Sequence, residues 1–543
     1  MRASSLRLGV RIAFAMLVVL ASGVWSSLAL ALAPRPAGTI ALSLLDGRQG
    51  PLVLVAGQGG WLGTFRIGNV GSEPLIVSRL AIRGDEDDVR SPPRVSARFF
   101  DGPPASAAIA PGAFKDVVVS WVPDKDPRMR QAFGHVVVTS TDEPSGEVAM
   151  GFRAELPTPL GWVGSHALSL LVMLPLLVPL VAIVARLSGR RDDPWVRHIA
   201  AGVAVADLLL ALWACCRFAP DVARSDGNDG FQLIERAVWV RAIGAEWYLG
   251  VDGVNIALVL LAALLAVVAA VIGSPERRSD AYCATLGLLV SGCLGALVAL
   301  DLLLLFAAWQ LVLMAMAMLV GGWSGHRGEH AAAKAGVYGA IGSAAMLVLF
   351  IALSRASGQT FLVDGTAVAH TLSIPELART SFASKEPLVG IPFVEVAWGL
   401  LFVVVAVASP IVPLHGWFAD VLEEAPAGVA VLIAGVVVAL GPYLFVRVGL
   451  GAMPEGARWA GSAIAAVGVL SVAYGSLCAM AQPNLRRFVA FASIASAGAG
   501  LFGLGSLTPQ GIGGALSGAF AHGLGAALLV GTSAAVERRL RTC

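Results

Sequence analysis

Beyond residue 160 the chain alternates long apolar runs with short polar joins. Runs with at most one charge occupy residues 167–185, 199–216, 254–272, 282–300, 302–320, 335–353, 394–409, 428–446, 459–480, 488–504 and 512–535. Most reach the roughly 20 residues that an α-helix needs to cross hydrocarbon, so the pattern predicts about eleven transmembrane helices. A further charge-free run, 12–33, comes after Arg2, Arg7 and Arg11 and ends on Ala31-Leu-Ala33. That order looks like a secretory signal; Pro34 hinders cleavage and the run is long enough to span, so a cleaved signal and a retained anchor both stay open. Either one exports the segment that begins near residue 38. Between residues 38 and 155 the period changes to two, as in Leu75-Ile-Val-Ser-Arg-Leu80 and Val117-Val-Val-Ser-Trp-Val122, with Gly, Pro, Asp and Asn clusters between the runs. This predicts a small antiparallel β-sandwich.

The apolar pattern breaks at one place that draws attention. Two runs meet at Pro410-Ile-Val-Pro413-Leu-His415-Gly-Trp417, with Asp420, Glu423, Glu424 and Pro426 just beyond. A broken helix in lipid frees carbonyls and amides that need protein, water or an ion as partner, so such breaks line polar paths. The plainer reading is a tight loop between two helices. Few other polar groups fall inside the runs: Asp207, Gln310, Glu395 and His522, besides His415. Intramembrane ionisable groups are functional candidates, although Asp207 and Glu395 are read as lying near helix ends, within reach of water.

Composition agrees with a membrane protein. Of 543 residues, 57% are hydrophobic and 14% charged, against about a quarter charged in soluble domains. A net charge of +2 gives no sign of a nucleic-acid partner. The six cysteines (215, 216, 283, 293, 478, 543) have no metal-site spacing, and none lies between Pro34 and Leu156. No metal, cofactor or redox centre is expected, and Asp85-Glu-Asp-Asp88 reads as a solvated loop rather than a calcium site. With an outside start, the arginines at 186, 190, 191, 197, 277, 278, 327, 486, 487, 538, 539 and 541, with Lys334, fall inside, a modest positive-inside bias. Only four lysines exist (115, 125, 334, 385), none at a membrane centre.

Ordered blocks then carry a resemblance. They are Phe231-Gln-Leu-Ile-Glu235, Leu249-Gly-Val-Asp252-Gly253, Leu300-Asp301, Trp309-Gln310, Lys334 to Tyr338, Pro410-x-x-Pro413-x-His415-x-Trp417-x-x-Asp420, Ala425-Pro426, Gln482 to Ser493 and His522-Gly523-Leu524. From Phe231 to Leu524 the chain resembles the antiporter-like membrane subunits of proton-pumping NADH:quinone oxidoreductase, chain M and mitochondrial chain 4 above all, with the multisubunit sodium/proton antiporter subunits as relatives. Residues 67–77, 109–112 and 138–144 resemble immunoglobulin-like domains of the hydin and abnormal-spindle type, where such strings mark strand ends and turns rather than a catalytic site.

The resemblance implies a fold of fourteen helices with two inverted five-helix repeats, each holding a broken helix, and proton movement along Glu, Lys and His at mid-membrane depth. Charge moved elsewhere in the assembly would switch each partner's affinity for a proton. This chain departs from that relay. Gln310 stands for the family's Glu, Ala408 and Ala439 for its two Lys, and Ser496 for a His; His415 and His522 remain. The chain ends at Cys543, after the family's eleventh span. The expected architecture is therefore a signal or anchor (1–33), an exported Ig-like sandwich (38–155) and an antiporter-like transmembrane domain (164–541). Its expected setting is a bacterial-type inner membrane with the β domain on the outer, periplasmic side, and its expected partners are other membrane subunits, the bilayer and an unknown partner of the Ig-like domain. The implied function is a membrane-arm subunit of complex I type with weak or no pumping. A cation/proton antiporter or ion-coupled uptake subunit, or a non-transporting scaffold, is the alternative.

Overall fold

The computed structural model describes residues 40–542, apart from 45–51, 58–59, 71–72, 84–94, 100–106, 122–130, 141–146, 156–160, 190–193, 219–230, 241–242, 273–277 and short pieces between 326 and 389. The apolar run 12–33 and the acidic residues 85–88 lie outside the described residues. The chain divides into two compact units, Met1–Thr158 with Ala223–Asn228, and Pro159–Val222 with Asp229–Cys543.

The described residues of the first unit form two five-stranded sheets. Strands β1 (Ile40–Leu44), β3 (Val55–Gly57), β4 (Gly60–Asn69), β6 (Val95–Phe99) and β8 (Phe114–Trp121) form one, in the order β1-β4-β8-β6 with β3 also on β4. The other has the order β2-β10-β9-β5-β7, from β2 (Leu52–Val53), β5 (Leu75–Arg83), β7 (Ala107–Ile109), β9 (Gln131–Ser140) and β10 (Glu147–Glu155). Pairings are antiparallel except β2 with β10. Alternation aims every second residue inward: Phe65, Ile67, Val117 and Val119 from one sheet share a core with Leu75, Val77, Val136 and Val138 from the other. Buried Asn69 fixes a corner by donating to the Glu73 carbonyl (2.7 Å) and the Ile109 carbonyl (2.9 Å).

The second unit is helical. Its elements are α1 (Ala167–Leu187), α2 (Pro194–Arg217), α3 (Ile256–Ile272), α4 (Ser279–Val298), α5 (Leu302–Trp323), α6 (Gly328–Ser357), α7 (Phe393–Ala408), α8 (Phe418–Glu424), α9 (Ala427–Leu450), α10 (Pro454–Met480), α11 (Leu485–Gly505) and α12 (Pro509–Thr542). Among the described residues nine helices are long and apolar enough to span a membrane, and α3 and α7 are shorter apolar helices. All eleven apolar runs thus fall on helices.

A hairpin of β11 (Gln232–Val240) and β12 (Ala245–Val251) ties helix ends together. Glu235 accepts from the Leu168 and Ser169 amides at the start of α1, at 2.6 and 3.1 Å. Asp301 caps α5 through the Leu303 and Leu304 amides (2.8 and 3.0 Å) and accepts from the Glu246 amide (3.1 Å). Asp252 caps α3 through the amides of Val254 and Asn255. Such caps satisfy donors that a helix start cannot pair internally.

Helices α10 and α11 meet at van der Waals contact of their backbones. A Cβ on Gly468 would come within 2.6 Å of the Phe502 nitrogen, and one on Gly475 within 2.6 Å of the Ala495 nitrogen. Glycines seven apart on α10 therefore set a close antiparallel pair, the packing that lipid favours between helices.

Candidate functional site

Helix α7 stops at Ala408, and residues 409–417 are non-helical before α8 begins at Phe418. The break is real, and its freed groups find protein partners. The Val412 amide donates to the Ser471 hydroxyl at 3.2 Å, and the Phe418 amide donates to the His415 carbonyl at 3.0 Å. Pro410 and Trp417 are buried, His415 is half-buried and Pro413 is exposed; the Val412–Pro413 peptide is cis.

Helix α9 is distorted beside this break. Pro442 sits inside it and has no N–H for the Val438 carbonyl one turn back. The Ser409 hydroxyl donates to that carbonyl instead, at 2.5 Å. Gly441 makes the approach possible: a Cβ there would overlap Ser409. Two stretches of α9, Ile433–Val437 and Phe445–Leu450, widen to π-helix around this point, a deformation common at functional sites.

The two distortions enclose one side of a cavity of about 290 Å³, closed by α11 and α12. Ser409, Ala439, Ser496 and His522 line it with glycines, alanines, Val438 and Pro442. At ~30 Å³ per water the space holds several molecules. His522 is its one titratable side chain. Its Nε2 lies 2.9 Å from the Ser493 hydroxyl, and that hydroxyl donates to the Val489 carbonyl at 2.8 Å. The Ser493 proton being committed, Nε2 carries the hydrogen and donates to Ser493 Oγ.

The remaining candidates lie elsewhere. Ala408 faces a pocket of about 10 Å³ with Trp309, Ala335 and Trp417, where both indole N–H groups are buried without an acceptor. Gln310 is exposed on the surface of this chain and accepts from the Ser343 hydroxyl at 2.7 Å. His415 is absent from the cavity lining; its ring meets Tyr474 edge-on at 4.7 Å. Asp420 pairs with Lys334 at 2.7 Å and lies 3.7 Å from Arg487, which binds Glu423 at 2.9 Å. Pro426 forms the N-cap of α9. Glu395 is half-buried in the first turn of α7, as read from the sequence. Asp207 corrects that reading: it is fully buried within α2.

Sequence reasoning missed three features: the role of Ser409, the glycine contacts, and an ion pair between Arg447 on α9 and Asp252. That pair is bidentate, at 2.8 and 2.7 Å, with Arg447 over the rings of Phe231 (4.9 Å) and Tyr443 (5.2 Å). Burial pushes the Asp252 carboxyl up, but the Arg447 charge and hydrogen bonds, with the Val254 and Asn255 amides, outweigh it and hold it below the usual range. A proline inside an apolar run was the available signal for Ser409.

Residues 299–542 match the family model described as NADH:quinone oxidoreductase/Mrp antiporter, TM. The NAD(P)H-quinone oxidoreductase chain 4 2 of Microcystis aeruginosa is 32% identical over 364 residues, 67% of this chain and 61% of the relative. The chain 4 1 of a Synechococcus species is 32% identical over 368 residues, 67% of this chain and 64% of the relative. This chain thus spans less than two thirds of the length of these relatives. Among solved structures, a chain of respiratory complex I from Thermus thermophilus with bound NADH aligns with a TM-score of 0.57 at 21% identity, covering 68% of this chain and 71% of the other. That likeness establishes an antiporter-like fold.

Proposed function

We propose that the chain, whose residues 299–542 match the NADH:quinone oxidoreductase/Mrp antiporter transmembrane family, serves as a membrane-arm subunit of a complex I-like NAD(P)H-quinone oxidoreductase whose own proton path is weak or closed. The carrying observation is the 290 Å³ cavity, where Ala439 and Ser496 stand on the wall and His522 alone can titrate. A charge relay needs neighbouring groups whose protonation alters one another. A lone imidazole donating to Ser493 has no charged neighbour in the lining to exchange states with. Gln310 keeps the hydrogen bond to Ser343 but carries no charge, and Ala408 adds none. With the Glu gone, a lysine at either alanine position would be a buried charge lacking its partner, which is costly; the substitutions are consistent as a set.

The oxidoreductase chemistry itself belongs to partner subunits in this reading, and this chain contributes no redox centre. The amino-terminal β unit is proposed as an Ig-like docking module on the outer face of a bacterial-type inner membrane. Affinity purification of the tagged chain from its native membranes tests the assembly. Recovery with NADH-oxidising and quinone-reducing subunits supports the reading; recovery with antiporter subunits alone, and no such activity, overturns it.

A further inference from the structure

A second pocket, between α1, α2, α3 and α4, takes no part in the cavity site. Asp207 lines it, 13 residues into α2, which at 1.5 Å per residue is roughly 20 Å along a helix about 36 Å long. The side chain is therefore at mid-span. It is fully buried, and neither carboxyl oxygen has a hydrogen-bond partner. Among the described residues the other buried acids of this unit are served: Asp301 and Glu235 by backbone amides, Asp280 by Arg186 at 2.8 Å and Glu246 by Arg236 at 2.7 Å. Asp207 is the exception.

The pocket has a volume of about 20 Å³, enough for one water. Pro175, Val178, Ala204, Cys283 and Gly287 stand around it. Helix α1 is irregular beside it, with a 3₁₀ turn at Leu174–Leu176. Pro175 and Pro179 supply no N–H to the carbonyls of Leu171 and Pro175. The Pro175 carbonyl presses on α4 so closely that a Cβ on Gly287 would come within 2.5 Å of it. The place thus joins an unserved carboxyl, an interrupted helix and room for a water. An ionised carboxylate with no partner and no bulk water is a form these surroundings do not admit, whereas the neutral acid fits.

We propose that Asp207 is a proton-binding site at mid-membrane in the first half of the helical unit. Its neutral carboxyl holds one proton and exchanges it with a single water in the pocket. Hard metal cations want about six oxygen ligands, which this lining cannot supply. Helix α3 presents no titratable group. On α4 Cys283 lines the pocket, and Asp280 is paired with Arg186 of α1. On α2 itself Arg197, His198, Cys215, Cys216 and Arg217 lie toward the ends. The inference uses no residue of the 290 Å³ cavity and stands apart from the proposed function.

Infrared spectroscopy of the full chain in proteoliposomes tests it. The expected result is the carbonyl band of a protonated carboxylic acid at neutral pH. That band is lost in Asp207→Asn, kept in Cys283→Ser, and moved down in frequency after transfer to D₂O. Should Asp207→Asn fail to fold, wild-type protein labelled with ¹³C in the aspartate carboxyl shows whether the band belongs to an aspartate, and Asp207→Glu, which removes the band from the labelled set, gives the assignment. Absence of an acid band, a band untouched by both the label and the variant, or one that never exchanges in D₂O overturns the proposal.

Discussion

Replacing Ser409 with Ala removes the hydroxyl that serves the Val438 carbonyl. Ser409 is 1% exposed and its bond is 2.5 Å long, so the carbonyl would be left buried and unpaired, a loss of about 1–3 kcal/mol. Ser409 also borders the 290 Å³ cavity, and a water there would recover part of the bond, which brings the expected loss to about 1–2 kcal/mol. The cause of the vacancy is Pro442, and this is what makes the reasoning testable. In a Pro442→Ala background the restored N–H closes the helical bond to Val438, and Ser409→Ala should then cost under ~0.5 kcal/mol. A four-protein cycle, unfolded in mixed micelles and followed by circular dichroism, should give a coupling of about 1 kcal/mol or more. Additivity within the ~0.3–0.5 kcal/mol typical of independent sites would refute the link between proline and hydroxyl.

Gly468→Ala should lower stability by about 1–3 kcal/mol through overpacking, because its Cβ has backbone atoms of α11 at 2.6 and 2.7 Å; Gly513→Ala, with nothing within 4 Å, should be neutral or stabilising in the same thermal assay. Asp252→Asn leaves Arg447, 3% exposed, with its charge unpaired, for an expected loss of about 3–5 kcal/mol at pH 7. The Asp252 carboxyl is held below its ordinary range, so the wild-type advantage is complete above the unfolded value of about 3.9 and disappears only as pH falls through the lower folded value. Melting curves of both proteins from neutral pH to about pH 3 check this, and an advantage lost already near pH 6 would contradict it.

The apolar runs gave the helices because lipid allows few alternatives: each run of that length must close its own hydrogen bonds. The break at Pro410 was equally legible, since two prolines and a glycine cannot continue a helix. Which face each helix buries was not. Helix α2 is apolar nearly all round, so nothing in its pattern distinguishes the buried side on which Asp207 sits from the lipid side. Gln310 looked like a member of an interior relay, yet it is exposed on this chain. Asp252 and Arg447 are 195 residues apart, a separation at which only the folded hairpin and helix reveal a contact. The heptad of Gly461, Gly468 and Gly475 was visible, but small residues in an apolar run have too many uses for spacing alone to identify a packing seam. Ala439, Ser496 and His522 do come together in one cavity, whereas Ala408 and Gln310 lie apart from it, which the linear order of the motifs concealed.

Proton flux through the chain itself tests the central claim most directly. Purified full-length protein is reconstituted in proteoliposomes carrying a pH-sensitive dye, and a potassium diffusion potential is imposed with valinomycin. The account expects little or no proton uptake beyond that of protein-free vesicles, unchanged by His522→Ala. Robust uptake by the wild type, abolished by His522→Ala or by a change at Gln310, would contradict it.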